Sequence, residues 1–192
     1  IDIMKDMLKK HLDRERYMHS IEVMNLSAKL ADKYGVDVYK AKVAGLLHDC
    51  AKCLPYDRMV EKSIKYNADI DGLMLEGGVL LHGPVGEKIA RYVFGVDDFD
   101  VLMAIKYHST GRKDMTTLDK IIYIADYIEP ERVFDGIDEI RIMVEVDLDR
   151  AVLMAIDNTI RYILSKDELI HPYTIDARND ILQNLSTIAN ND

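Results

Sequence analysis

The 192-residue chain has no tryptophan, two cysteines and four prolines. Cys50 and Cys53 stand three positions apart, too few and too close for the disulfide framework of a small secreted domain. A cytoplasmic protein is expected. No run of 18 apolar residues is present, so no membrane-spanning helix is expected, and the opening IDIMKDMLKKHLDRERYMHS lacks the apolar stretch of a signal peptide. Basic residues are in deficit: 25 Lys and Arg against 34 Asp and Glu give a formal charge of −9. Affinity for nucleic acid or for anionic membrane needs clustered cations, so neither partner is expected. With 48 % hydrophobic residues the chain is not compositionally disordered. A chain of this length buries roughly 70 % of its extended surface and needs no metal or disulfide merely to fold. There is no internal repeat, low-complexity tract or Pro/Gly/Ser-rich linker, so residues 1–192 are read as one domain.

Apolar residues recur at helical spacing, and no alternating run of five or more competes. Asp13 caps a helix reaching about Tyr34, with Gly35 as its stop. Asp37 caps a second, through VYKAKVAGLLHDC, and Pro55 marks a break. Tyr56 to Asn67 suit a third. Pro84 fits the first turn of a helix ending at Gly95. Asp97 or Asp98 opens the next, to about His108. Thr116 or Thr117 caps LDKIIYIADYIE before Pro130, and Asp147 opens a stretch to about Lys166. A last helix starts near Thr174 or Asp176. The fold class is all-α, with eight to ten helices.

Several polar residues interrupt the apolar faces. His19 aligns with Val23, Leu26 and Leu30, with Arg16 one turn before it. His48 continues the line Ala41, Ala44. Asp49 follows at the carboxyl end of the helix, where the macrodipole disfavours an anion, so a cation should sit nearby. His82 and His108 lie at segment edges. Asp126 flanks the stripe Leu118, Ile121, Ile122, Ala125 and Ile128. Singly, each reads equally as a satisfied core or surface group. Together, four histidines and two aspartates form the ligand set of a borderline or hard divalent metal. A carboxylate can bridge two metals, and six ligands suit two ions with open positions better than one closed zinc site.

The order His19, His48-Asp49, Asp126 resembles the HD-domain superfamily of metal-dependent phosphohydrolases, and within it the YqeK-like subfamily of symmetrical diadenosine tetraphosphate hydrolases. The resemblance is carried by RYMHS, GLLHDCAK, LHGPVGE, KYHSTGR, ADYIEPER and HPYTIDARND, which span nearly the whole chain. It implies an HD-domain helical bundle around a two-metal centre. His19, His48, Asp49 and Asp126 would hold one metal, and Asp49 would bridge to a second completed by His82 and His108. The implied cofactors are two divalent ions, iron in this subfamily, while the ligand types also allow Mn, Co, Ni or Zn. The implied reaction is hydrolysis of diadenosine tetraphosphate to two ADP by a metal-bridged hydroxide, with His48, Asp49, Asp126, Arg16 and Lys52 in catalytic roles.

A polyanionic nucleotide needs cations near the metals. Arg16, Lys52, Arg112 and Arg132 each stand close in sequence to an expected ligand, though each could be an ordinary surface cation. His171, Thr174 and Arg178 occupy the segment resembling the family's nucleotide-contacting tail, and Thr174 reads as well as a helix cap. Two divalent ions would reverse the local sign of a chain that is acidic overall. Tyr107 and Tyr127 neighbour expected ligands and are candidates to stack on a base. Cys50 and Cys53 read as packing thiols. The small-molecule nucleotide is the expected partner, and a homodimer is compatible with the sequence. The competing readings are another HD-type nucleotide phosphohydrolase, such as a nucleoside 5′-monophosphatase, and a non-catalytic nucleotide-binding helical module.

Overall fold

The computed structural model describes residues 1–76 and 78–189, with side chains described through residue 187. They form eleven helices, and no strand occurs among the described residues. The helices are α1 (Asp2–Leu8), α2 (Arg14–Lys33), α3 (Val38–Leu47), α4 (Tyr56–Lys65), α5 (Gly72–Leu75), α6 (His82–Tyr92), α7 (Phe99–Tyr107), α8 (Thr117–Ile128), α9 (Ile137–Met143), α10 (Leu148–Ser165) and α11 (Pro172–Ala189).

Side-chain caps fix most of the starts. Asp13 accepts from the Arg16 N–H at 2.8 Å, Asp37 from Tyr39 and Lys40, Asp98 from Val101, and Asp147 from Arg150. Thr116 and Asp119 exchange bonds in a capping box at the head of α8. The helices that the spacing did not predict are the short α1, α5 and α9. α1 and α9 have no side-chain cap, and α9 follows Gly136 in a left-handed conformation, so neither announces its start. The last helix opens at Pro172, two residues before Thr174. Proline at the first helical position has the required φ, and His171 Nδ1 accepts the Tyr173 N–H at 3.2 Å, which takes the capping role expected of Thr174.

Helices α2, α3 and α8 pack mutually, α7 packs on α3 and α8, α6 packs on α7, and α10 joins α8 to α9 and α11. The predicted stripe of α8 is buried throughout. Two glycines let backbones approach where the site will form. A Cβ at Gly45 would lie 2.8 Å from Ser27 Oγ and 3.0 Å from Met24 Cα, so α3 sits hard against α2. A Cβ at Gly83 would lie 2.5 Å from the Lys106 carbonyl oxygen, so the head of α6 abuts the tail of α7. The first approach sets His48 beside His19, and the second sets His82 beside His108. Among the described residues no helix is long and apolar enough to cross a membrane.

Candidate metal centre

His19 projects from the second turn of α2. His48 and Asp49 leave the end of α3, His82 begins α6, His108 ends α7, and Asp126 lies in the last turn of α8. All six converge. His19 Nε2 lies 3.1 Å from His48 Nε2 and 3.0 Å from Asp126 Oδ1. His82 Nε2 lies 3.0 Å from His108 Nε2. Asp49 stands between these groups: Oδ2 is 3.7 Å from His48 Nε2 and 3.9 Å from His19 Nε2, while Oδ1 is 3.4 Å from both His82 Nε2 and His108 Nε2.

Ring orientation settles which atoms face inward. His48, His82 and His108 each donate Nδ1–H to the carbonyl three residues earlier, at Gly45, Val79 and Ile105, over 2.7, 2.7 and 2.8 Å. Their Nε2 atoms therefore carry lone pairs. His19 has a different anchor: its Nδ1 faces Glu129 Oε1 at 3.4 Å, and Glu129 is buried. In the tautomer that donates Nδ1–H to Glu129, His19 Nε2 also presents a lone pair, as binding a cation there would require. The cluster thus brings acceptor against acceptor at close to 3 Å, an arrangement that calls for a cation. Two ligand atoms about 2.1 Å from one ion at roughly a right angle are separated by about 3.0 Å. Asp49 Oδ1 is buried and has no hydrogen-bond partner among the described residues. Such a group costs several kcal/mol unless something compensates it. The residues fit a metal: two groups, His19 with His48 and Asp126, and His48 with Asp49 and His108, each bring their ligand atoms within 4.8 Å of one another.

Electrostatics favour the ligating states of His48, His82 and both carboxylates, whereas Asp126 and Asp49 raise the His19 imidazole against its burial. Burial pushes the His48 imidazole down to about 4 and the His82 imidazole down to about 3, so both stay neutral. Burial alone would raise Asp49, but His48, His108 and Lys52 outweigh it and hold the carboxyl well below its ordinary range. Asp126 is likewise lowered against its burial, chiefly by its contact with His19.

The cation expected beside Asp49 is Arg16, whose Nη1 donates to Oδ2 at 3.0 Å. Lys52 Nζ lies 3.7 Å from Asp49 Oδ1 and 3.2 Å from His82 Nε2. Arg132 Nη2 donates to Asp126 Oδ1 at 3.1 Å. The structure does not bring Arg112 to the cluster: its Nε and Nη2 both donate to buried Asp119, and it covers the Tyr107 ring. Arg178 is engaged by Asp157. His171 pairs with Asp71 at 2.9 Å, and with Thr174 it lines a cavity that also reaches Lys52 and His82. Tyr107 packs on Tyr173, and Tyr127 on Phe134. Cys50 is buried and Cys53 exposed, both free.

Residues 16–131 match the model of a known family, the HD domain. The chain belongs to the HD-domain family. All six clustered residues of this HD domain fall inside the matched span. A symmetrical bis(5′-nucleosyl)-tetraphosphatase of Bacillus subtilis is 40 % identical over 87 % of this chain and 89 % of its own length. A protein of that name from Staphylococcus aureus is 39 % identical over 93 % of each chain. A solved structure of a predicted HD superfamily hydrolase involved in NAD metabolism, from Clostridium acetobutylicum, superposes with a TM-score of 0.92 at 44 % identity, covering 95 % of this chain and 97 % of that one.

Two residues of this HD domain escaped the sequence reading. Glu129 follows Asp126 by three, on the same helical face, and is an anion at a helix carboxyl end, the signal that singled out Asp49. Ser109 Oγ sits 3.1 Å from His82 Nε2 and 3.0 Å from His108 Nε2, and only its adjacency to His108 could have pointed to it.

Proposed function

We propose that this protein hydrolyses diadenosine tetraphosphate symmetrically, releasing two ADP, with two divalent cations, iron by preference, held by His19, His48, Asp49, His82, His108 and Asp126. The observation that carries the reading is the position of Asp49, with one oxygen turned to each histidine pair and one of them buried without a partner. When bound, such cations supply the charge neutralisation and water activation that phosphoryl transfer needs at neutral pH. The extended likeness to the tetraphosphatases of B. subtilis and S. aureus supports the choice of substrate.

The chain's own residues take the remaining roles. Arg16 and Lys52 flank Asp49 on its two oxygens, hold it ionised and stand where phosphate oxygens would enter. Arg132 does the same beside Asp126. Each cation is partly exposed and can exchange part of its pairing for phosphate. His171 and Thr174 orient the nucleoside from the start of α11. Residues 1–192 act as one domain in this reading, because α10 and α11, beyond the matched span, line the same cavity as His82. Arg112 and Arg178 support the fold through Asp119 and Asp157.

Product analysis on protein of known metal content tests the proposal. Two ADP per diadenosine tetraphosphate is the expected result. ATP plus AMP would refute symmetrical cleavage, and faster turnover of mononucleotides would favour a monophosphatase.

A further inference from the structure

Two cavities reach the cluster at different residues, one at His82 and the other at His19, and no residue lines both. One, of about 580 Å³, reaches His82, Lys52 and Ser109 and is walled by apolar Leu73, Leu80, Ile163 and Leu169, with the Tyr162 ring at its edge. The other, of about 790 Å³, reaches His19 and is lined by three arginines, Arg14, Arg16 and Arg132, interleaved with four glutamates, Glu15, Glu22, Glu129 and Glu131; of these, Arg16 and Arg132 stand nearest the cluster carboxylates. Each falls in the range of about 300–1,000 Å³ that small-molecule sites occupy. The Asp49 oxygens divide between them, Oδ2 toward His19 and Arg16, Oδ1 toward His82 and Lys52.

Resting on the proposed symmetrical cleavage, we infer that the two halves of the dinucleotide are held by chemically unlike arms: one nucleoside in the apolar cavity beside His82, the other nucleoside diphosphate in the arginine cavity beside His19. Three residues of the second arm, Arg14, Met18 and Glu22, recur at a spacing of four and form one ridge of α2. Arg14 makes no ion pair among the described residues, and Met18 is 47 % exposed although apolar. A guanidinium, a thioether and a carboxylate in one row suit a purine, through stacking on its face and acceptance of its exocyclic amine. Arg16 and Arg132, nearer the cluster, are placed for that arm's phosphates. A substrate with two nucleosides uses both arms. One with a single nucleoside uses the apolar arm and leaves the Arg14–Met18 ridge without a base.

The test compares diadenosine tetraphosphate with adenosine 5′-tetraphosphate on the metal-loaded protein, and counts bound ADP by calorimetry. The Arg14→Ala/Met18→Ala double variant should raise KM for the dinucleotide at least fivefold more than KM for the mononucleoside compound. Leu169→Asp, an exposed change in the other cavity, should raise both by similar factors. Wild type should bind two ADP per chain with unequal affinity, and the double variant one. Equal KM changes for both substrates in the double variant, or one ADP per wild-type chain, would overturn the two-arm assignment while leaving symmetrical cleavage intact. Should wild type fail to make two ADP, the activity reading falls, and the ADP count alone then decides the second arm.

Discussion

The two halves of the cluster are built by different means. On the His82–His108 side both rings are fixed by carbonyls three residues back in their own segments. Local helix geometry is enough to aim them, and only the close approach at Gly83 joins the two segments. On the His19–Asp126 side, His48 is fixed locally through Gly45, but His19 depends on Glu129, 110 positions away in sequence. That side also carries the ionic frame of Arg16 and Arg132. One half is set by backbone, the other largely by long-range side-chain contacts. A site of the second kind is more easily loosened by a single distant substitution, because the orienting group is itself a side chain with neighbours to satisfy.

The largest effects should come from removing ligands, and their pattern tests whether the halves are separable. Asp49→Ala removes the group that faces both sides, so reconstituted protein should hold neither metal firmly and activity should fall to background. Asp126→Ala and His108→Ala should each leave one metal per chain, counted by elemental analysis after loading with Mn²⁺ and desalting. If either single variant lost both metals, the halves would be one cooperative unit and the distinction above would fail.

Removing an orienting group should act more weakly and unequally. Glu129→Gln keeps a hydrogen-bond acceptor for His19 Nδ1 but removes the charge, and should weaken the metal beside Asp126 by about 10- to 100-fold. Ser109→Ala, beside His82 and His108, should weaken the other metal by less than about tenfold, since their rings remain anchored by backbone. Competition with a chromophoric chelator gives both affinities. Equal losses in the two variants would mean that Nδ1 anchoring does not distinguish the halves.

The sequence revealed the two sides unequally for the same reason. Helix starts were legible because Asp13, Asp37, Asp98, Thr116 and Asp147 announce themselves by side-chain caps, and their spacing placed His19 and His48 on inward faces and Asp126 at the flank of one. Of the six clustered residues, His19 and His48 were legible as polar groups in apolar lines and Asp49 as an anion at a helix end, while His82 and His108 stood only at segment edges and joined the set through the ordered family motifs. The anchor of His19 was not, because a pairing between residues 19 and 129 depends on how α2 and α8 pack. Nor did proximity in sequence foretell the engagement of Arg112, which follows His108 by four yet turns to Asp119. Short uncapped helices such as α1 and α9 carry too little periodic signal to be seen.

The smallest expected effect serves as a control on the comparison. α2, which carries His19, is tied at its far end by Lys29 and Lys33, which reach Glu145 just beyond α9 at 2.8 and 2.9 Å, and Lys33 also donates to the Glu145 carbonyl at 2.7 Å. The two ammonium groups hold the Glu145 carboxyl at about 2, below its ordinary 4.5. All three side chains are at least one-third exposed, so solvent screening limits the contribution to less than about 1 kcal/mol. A carboxyl depressed in the folded state stabilises above its unfolded value and ceases to as pH falls through its folded value. Urea denaturation should therefore find Glu145→Gln slightly less stable than wild type at pH 7. The gap should narrow below about pH 4.5 and close near pH 2, and at pH 7 it should shrink in high salt. Neither metal affinity should change, because the tie lies at the opposite end of α2 from His19. A weakened metal beside His19 in this variant would show that the whole helix, rather than Glu129, sets that half of the site.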